Sequence, residues 1–121
     1  MKSSKIHLGK IGEDLAAVFL QRRGYKILER NFRSRIGEVD IIARDKNTIC
    51  FIEVKTRRSE MMGSAWEAVS IFKQKKLTLT ALNYLKYKNW DDCEVRFDVV
   101  AVNFKGKGEP QIELLTGAFE T

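Results

Sequence analysis

With 121 residues, 44% of them apolar and 31% charged, the chain has the size and balance of one globular domain, residues 1–121, around a single core. No apolar run approaches the roughly 20 residues of a membrane span, and the opening MKSSKIHLGK lacks a signal-peptide apolar region, so a cytoplasmic protein with no membrane partner is expected. The net charge of +6 is uneven, with nine Lys/Arg against three Asp/Glu in residues 1–35 and three against seven in residues 91–121; such a basic half suits nucleic acid, or is simply a solvated surface.

Residues 5–23 are predicted to form a helix, with Ser3 or Ser4 as its cap and Gly24 as a left-handed end. Ile11, Leu15, Val18 and Phe19 recur at helical spacing and make the expected core stripe. Glu13 lies nearly opposite, with Ala16, Ala17 and Leu20 as helical neighbours. That small-residue stripe suggests a second close contact, with Glu13 half-buried beside a sheet. Spacing alone equally allows a solvent-facing glutamate near a helix N-terminus, where the macrodipole favours an acid. His7 has no partner motif and is given no role.

Residues 25–32 read as a strand leading into Arg30-Asn31-Phe32-Arg33-Ser34-Arg35. Arginines interleaved with an aromatic suit phosphate contact and base stacking, or a solvated sheet edge. Residues 37–56, GEVDIIARDKNTICFIEVKT, read as a hairpin, with apolar, β-branched arms around the polar turn Asp45-Lys46-Asn47-Thr48. Asn47 tolerates the left-handed backbone such a turn needs. A turn centred on Lys46-Asn47 sets Asp40 opposite Glu53 and Glu38 opposite Lys55. Opposed residues share a face, and alternation puts Lys55 on the face of Glu53. Opposed carboxylates destabilise a sheet, so a divalent cation such as Mg²⁺ (or Mn²⁺) is the simplest compensation; a salt bridge to Lys55 is the plainer one. A register slip of one residue would separate the two acids. Cys50, in the apolar arm, reads as a small core residue, and Cys50 and Cys93 lack metal-type spacing.

The loop after Lys55 carries Arg57 and Arg58 beside this site and is the expected clamp on a nucleic-acid backbone. Trp66 could stack on a base or pack a helix entrance. Residues 67–88 are predicted as a second helix, buried along Leu77, Ala81 and Leu85. Gln74 falls on that stripe and needs a polar partner, either the carboxylate site or a loop carbonyl. Lys73, Lys75 and Lys76 flank it, and Lys73 joins Arg33, Arg35, Arg57 and Arg58 as a candidate phosphate contact. Residues 93–104 and 111–115 read as strands, with Val95, Phe97, Val99 and Ala101 on one face and Arg96 and Asp98 paired on the other. Helices and strands in this order give an α/β or α+β domain, a mixed sheet flanked by helices.

Asp40 followed by Glu53-Val54-Lys55 resembles the D…ExK signature of the PD-(D/E)xK nucleases, the restriction-endonuclease-like superfamily. GEDLAA (12–17), GYKILERNFR (24–33), GEVDIIARD (37–45), FIEVKTR (51–57), EAVS with KQKK (67–76) and RFDVVAV (96–102) narrow this to a resemblance to the YraN-like bacterial family. That family is similar in architecture to Holliday junction resolvases. The resemblance covers residues 9–104. Its one departure is Val39, where the superfamily's word has proline. It implies a restriction-endonuclease-like core and an Mg²⁺-dependent endonuclease acting on DNA, with branched or junction DNA among the candidates. Asp40, Glu53 and the Val54 carbonyl would be metal ligands. Lys55 would orient water or stabilise the transition state, and Glu13 and Gln74 would complete the catalytic site. Junction resolvases generally act as dimers, so a homodimer is among the expected states. The alternative is a non-cleaving nucleic-acid-binding or adaptor protein of the same fold.

Overall fold

The hairpin is where the chain commits itself. In the computed structural model, which describes residues 2–58, 70–104, 106 and 108–119, β1 (Lys26–Arg33), β2 (Glu38–Asp45) and β3 (Thr48–Arg57) run as an antiparallel meander. The β2–β3 ladder pairs Asp45 with Thr48 and continues to Ile41 with Ile52, the register expected from the sequence. The positive φ of the turn falls on Lys46 (57°), not on Asn47. α2 (Ile71–Lys88) then crosses over and returns the chain as β4 (Glu94–Asn103), parallel to β3, and β5 (Gln111–Leu115) closes the far edge. With α1 (Lys2–Arg22) in front, the order is α-β-β-β-α-β-β. The result is an α+β fold with one mixed five-stranded sheet, ordered β1-β2-β3-β4-β5. No described helix is long and apolar enough to cross a membrane.

The helices cover opposite faces. On one face Ala16, Ala17 and Leu20 of α1 pack on Ile41, Ala43, Cys50, Ile52, Val100 and Val102. On the other, Leu77, Ala81 and Tyr84 of α2 pack on Val39, Ile42, Ile49, Phe51 and Phe97. Tyr84 sits edge-on to Phe32, Phe51 and Trp90. Cys50 is a buried core residue as expected, and burial pushes its thiol up to about 12, which leaves it unreactive.

α1 departs from the expected burial. Ile11 and Val18, predicted to face the core, are 37% and 44% exposed, and the small-residue side is the one that packs. The reason is close approach. A Cβ on Gly12 would lie 2.0 Å from Thr56 Oγ1, so only the Gly12–Ala16–Ala17 side lets the helix come this near the sheet. The helix also begins at Lys2, which puts Ser3 and Ser4 inside it rather than at its cap. Gly24 ends α1 as expected, at φ 92°, with the Tyr25 and Gly24 N–H groups donating to the Leu20 and Gln21 carbonyls. α2 starts at Ile71 behind Ser70, whose hydroxyl accepts the Lys73 N–H; the expected turn at 67–69, and Trp66 with it, lie outside the described residues. Among the predicted stripe residues of α2, Leu77 and Ala81 are buried and Leu85 only partly.

Beneath α1 lies a polar cluster larger than the Arg96–Asp98 pair expected from alternation. Buried Asp98 accepts from Arg96 (2.8 and 2.9 Å), from the Tyr25 hydroxyl (3.3 Å) and from the Gly117 N–H (3.0 Å). Arg96 also reaches Asp45 at 3.1 Å. With this many donors, the buried Asp98 carboxylate has its hydrogen bonds satisfied.

Candidate functional site

Alternation fails at one point of β2, and the site forms there. Val39 belongs to the α2-side core and Ile41 to the α1-side core, although neighbours two apart on a regular strand share a face. The facing strand breaks at the same level. Arg30 opposite Ile41 reaches Asp14 of α1 at 2.7 Å, whereas Phe32 opposite Val39 packs on Tyr84 of α2. Between them Asn31 takes φ 54°. Asp40 sits at this break, where the β2–β3 ladder has ended at Ile41–Ile52. Its Oδ2 accepts the Val54 N–H at 2.8 Å, so a side chain stands where the ladder's next carbonyl would be. The two strands fork around it.

Glu53 lies on β3 opposite this fork and is only 7% exposed. Its Oε1 is ion-paired with the Lys73 ammonium from the first turn of α2, and the Lys55 ammonium stands 3.8 Å from the same oxygen. Burial and then the Glu53 charge push the Asp40 carboxyl up to about 7, against the pull of the Val54 N–H; Glu13 adds to the rise and Lys73 opposes it. Burial and the neighbouring Lys73 ammonium lower the Lys55 pKa. The same burial acts on Lys73, but its bond to Glu53 and their attraction outweigh it and the net shift is upward.

Asp40, Glu53 and Lys55 are therefore brought together as the hairpin register predicts. Glu13 is on the sheet-facing side of α1, near enough to raise Asp40, with its carboxylate 3.7 Å from the Arg30 guanidinium. The expected pairing of Glu38 with Lys55 is not what forms: Glu38 pairs with Arg33 at 3.1 Å on the exposed edge, because β2 has left β3 by that level. Gln74 is half-buried one turn before Leu77. Arg35 and Arg58 are exposed, and Arg57 is half-buried at the end of β3. Lys73 was predicted on the flank of α2 and is at the centre instead. Its i−4 spacing from Leu77 placed it as close to the buried stripe as Gln74, a signal available in the sequence.

Among the described residues no group of three or more His, Cys, Asp or Glu is arranged to hold a metal. The acidic centre is a pair, Asp40 and Glu53, with the Val54 peptide between them. Two hard oxygen donors are what Mg²⁺ commonly takes from a protein, with water and phosphate filling its octahedron, so the residues present fit that ion.

Residues 12–102 match the family described as Uncharacterised protein family UPF0102. A UPF0102 protein of Syntrophus aciditrophicus is 48% identical over 118 residues, covering 98% of this chain and 92% of that protein. The UPF0102 protein GSU0650 of Geobacter sulfurreducens is 50% identical over 113 residues, 93% and 88% of the two chains. One from Desulforapulum autotrophicum is 43% identical over 121 residues, the whole of this chain and 99% of its own. With its match running from the close-packed Gly12 through the forked carboxylates to β4, the chain belongs to the UPF0102 family.

Proposed function

We propose that the protein is a divalent-cation-dependent endonuclease of the PD-(D/E)xK kind, hydrolysing phosphodiester bonds in DNA, branched or junction DNA included. The observation that carries this reading is the fork: two carboxylates and a lysine gathered on one buried face where a strand pair opens. A surface salt bridge needs no break in the sheet and no carboxyl raised to about 7; perturbed groups of this kind mark functional sites. Asp40, Glu53 and the Val54 carbonyl would hold Mg²⁺ or Mn²⁺. When bound, the cation supplies a Lewis acid for the phosphate and lowers the pKa of its water. Lys55, held on β3 with its pKa lowered, orients the attacking water or meets the negative charge that grows on the phosphate in the transition state. Glu13, tied to Arg30, borders the acidic pair from α1. Gln74, on α2 next to Lys73, would complete the site, its amide suiting a water or phosphate oxygen. Arg33, Arg35, Arg57 and Arg58 would hold the flanking backbone.

The test is a panel of labelled linear and branched DNAs with Mg²⁺ or Mn²⁺, alongside thermal melts. Wild type should cut at least one substrate. It should also gain about 2.7 kcal/mol at a cation concentration a hundredfold above its dissociation constant, a melting shift on the order of 10 °C. Glu53→Gln and Asp40→Asn should lose both responses. Cation-dependent binding without cleavage would assign a non-cleaving adaptor. Equal cation shifts in all three proteins would remove the chemical basis of the reading.

A further inference from the structure

The fork holds more positive charge than its own hairpin needs. Lys55 is on the strand beside Glu53, but a second ammonium, Lys73, comes from another element and makes the closer contact with the same oxygen. The two are not equally fixed. The Lys55 side chain is 17% exposed and anchored on β3, where its backbone pairs with Ala101 of β4. Lys73 is 40% exposed, on a four-carbon stem in the first turn of α2. Its stem can swing towards solvent while its backbone stays bonded to Ser70.

Charge counting gives that freedom a use. Without a cation and with both acids ionised, Asp40 and Glu53 face Lys55 and Lys73, two against two. A divalent cation adds two positive charges to a centre already balanced, and it competes with Lys73 for the Glu53 carboxylate. Lys55, only 3.8 Å from that oxygen, remains to orient Glu53. Resting on the function proposed above, we propose that Lys73 is a displaceable counter-ion: it holds Glu53 in the cation-free protein, and a cation taking Glu53 releases its ammonium to a phosphate of the bound nucleic acid. Cation and nucleic acid then favour each other's binding, as linkage requires of two ligands that favour one state.

The experiment compares wild type, Lys73→Met and Lys73→Arg. Mg²⁺ binding is read by calorimetry, and binding of a fluorescent DNA duplex by anisotropy, with Mg²⁺ and with EDTA. Circular dichroism checks that each variant folds. Lys73→Met has no competitor at Glu53, so it should bind Mg²⁺ about fivefold tighter or more, the low end of ordinary site-to-site coupling. It should also lose the gain in DNA affinity that Mg²⁺ gives wild type. Lys73→Arg keeps the charge and forks onto a carboxylate, so it should bind Mg²⁺ no more tightly than wild type. If wild type responds to Mg²⁺ and Lys73→Met binds it equally or more weakly, the counter-ion role is overturned and the nuclease reading stands. If wild type does not bind Mg²⁺ at all, both fall. Should Lys73→Met fail to fold, Lys73→Arg binding Mg²⁺ more tightly than wild type overturns the role.

Discussion

Asp40 is the residue whose chemistry the fold alters most. Its carboxyl is pushed up to about 7, above its usual value near 3.8. Below pH 4 both folded and unfolded chains hold the proton. Between pH 4 and 7 the unfolded chain loses it first, so folding is progressively disfavoured as pH rises through that window, by at most about 1.4 kcal/mol per pH unit from this one group. Denaturant melts in EDTA should therefore show wild type losing stability relative to Asp40→Asn from pH 4 to 7. A difference independent of pH would mean that Asp40 ionises in the folded protein as it does in the open chain. The position of this residue was readable, because a two-residue turn at Lys46-Asn47 fixes the register. Its direction was not. Nothing in the string GEVDII announces that alternation stops at Asp40, since the break coincides with the positive φ of Asn31 on the neighbouring strand. The role of Tyr25 was hidden for a similar reason: its partner Asp98 lies 73 residues away.

At the level of elements, α1 teaches the sharper lesson. Its large apolar residues look like the core side, and by hydrophobic area alone they would be. The sheet accepts the small side instead, because proximity increases contact along the whole helix and Gly12 is what allows it. Gly12→Ala should thus run against helix propensity, which would favour alanine by about 1 kcal/mol. The clash with Thr56 should cost about 1–3 kcal/mol, leaving a net loss of about 1 kcal/mol and a melting temperature lower by about 4–8 °C. Thr56→Ala removes the two nearest atoms and should restore part of that loss in the double variant. A more stable Gly12→Ala would mean that α1 stands farther from β3. The order of elements along the chain and a mixed sheet were legible from alternation, turn residues and length. Periodicity found the inward side of α2 at Leu77 and Ala81, whereas that of α1 depended on fit between surfaces, which periodicity does not measure. The same holds for the outward side of α2, where Ile71, Phe72, Leu79 and Leu82 remain exposed.

For the whole molecule, the excess of positive charge bears on how a polyanion would be held. If the basic half binds phosphates, log affinity should fall linearly with log salt, by about 0.7–0.9 for each phosphate neutralised. Replacing Arg57 and Arg58 together by alanine should flatten that slope and weaken different DNA sequences alike. Affinity indifferent to salt would refute a polyanion partner. The fork also has a consequence in time. Asp40 and Val54 are only 14 residues apart, while Thr48 and Glu94 are 46 apart, across the crossover. Short loops close first. During refolding the two acids are therefore drawn together before the helix bearing Lys73 has docked, and acid, by protonating one of them, should speed that early closure.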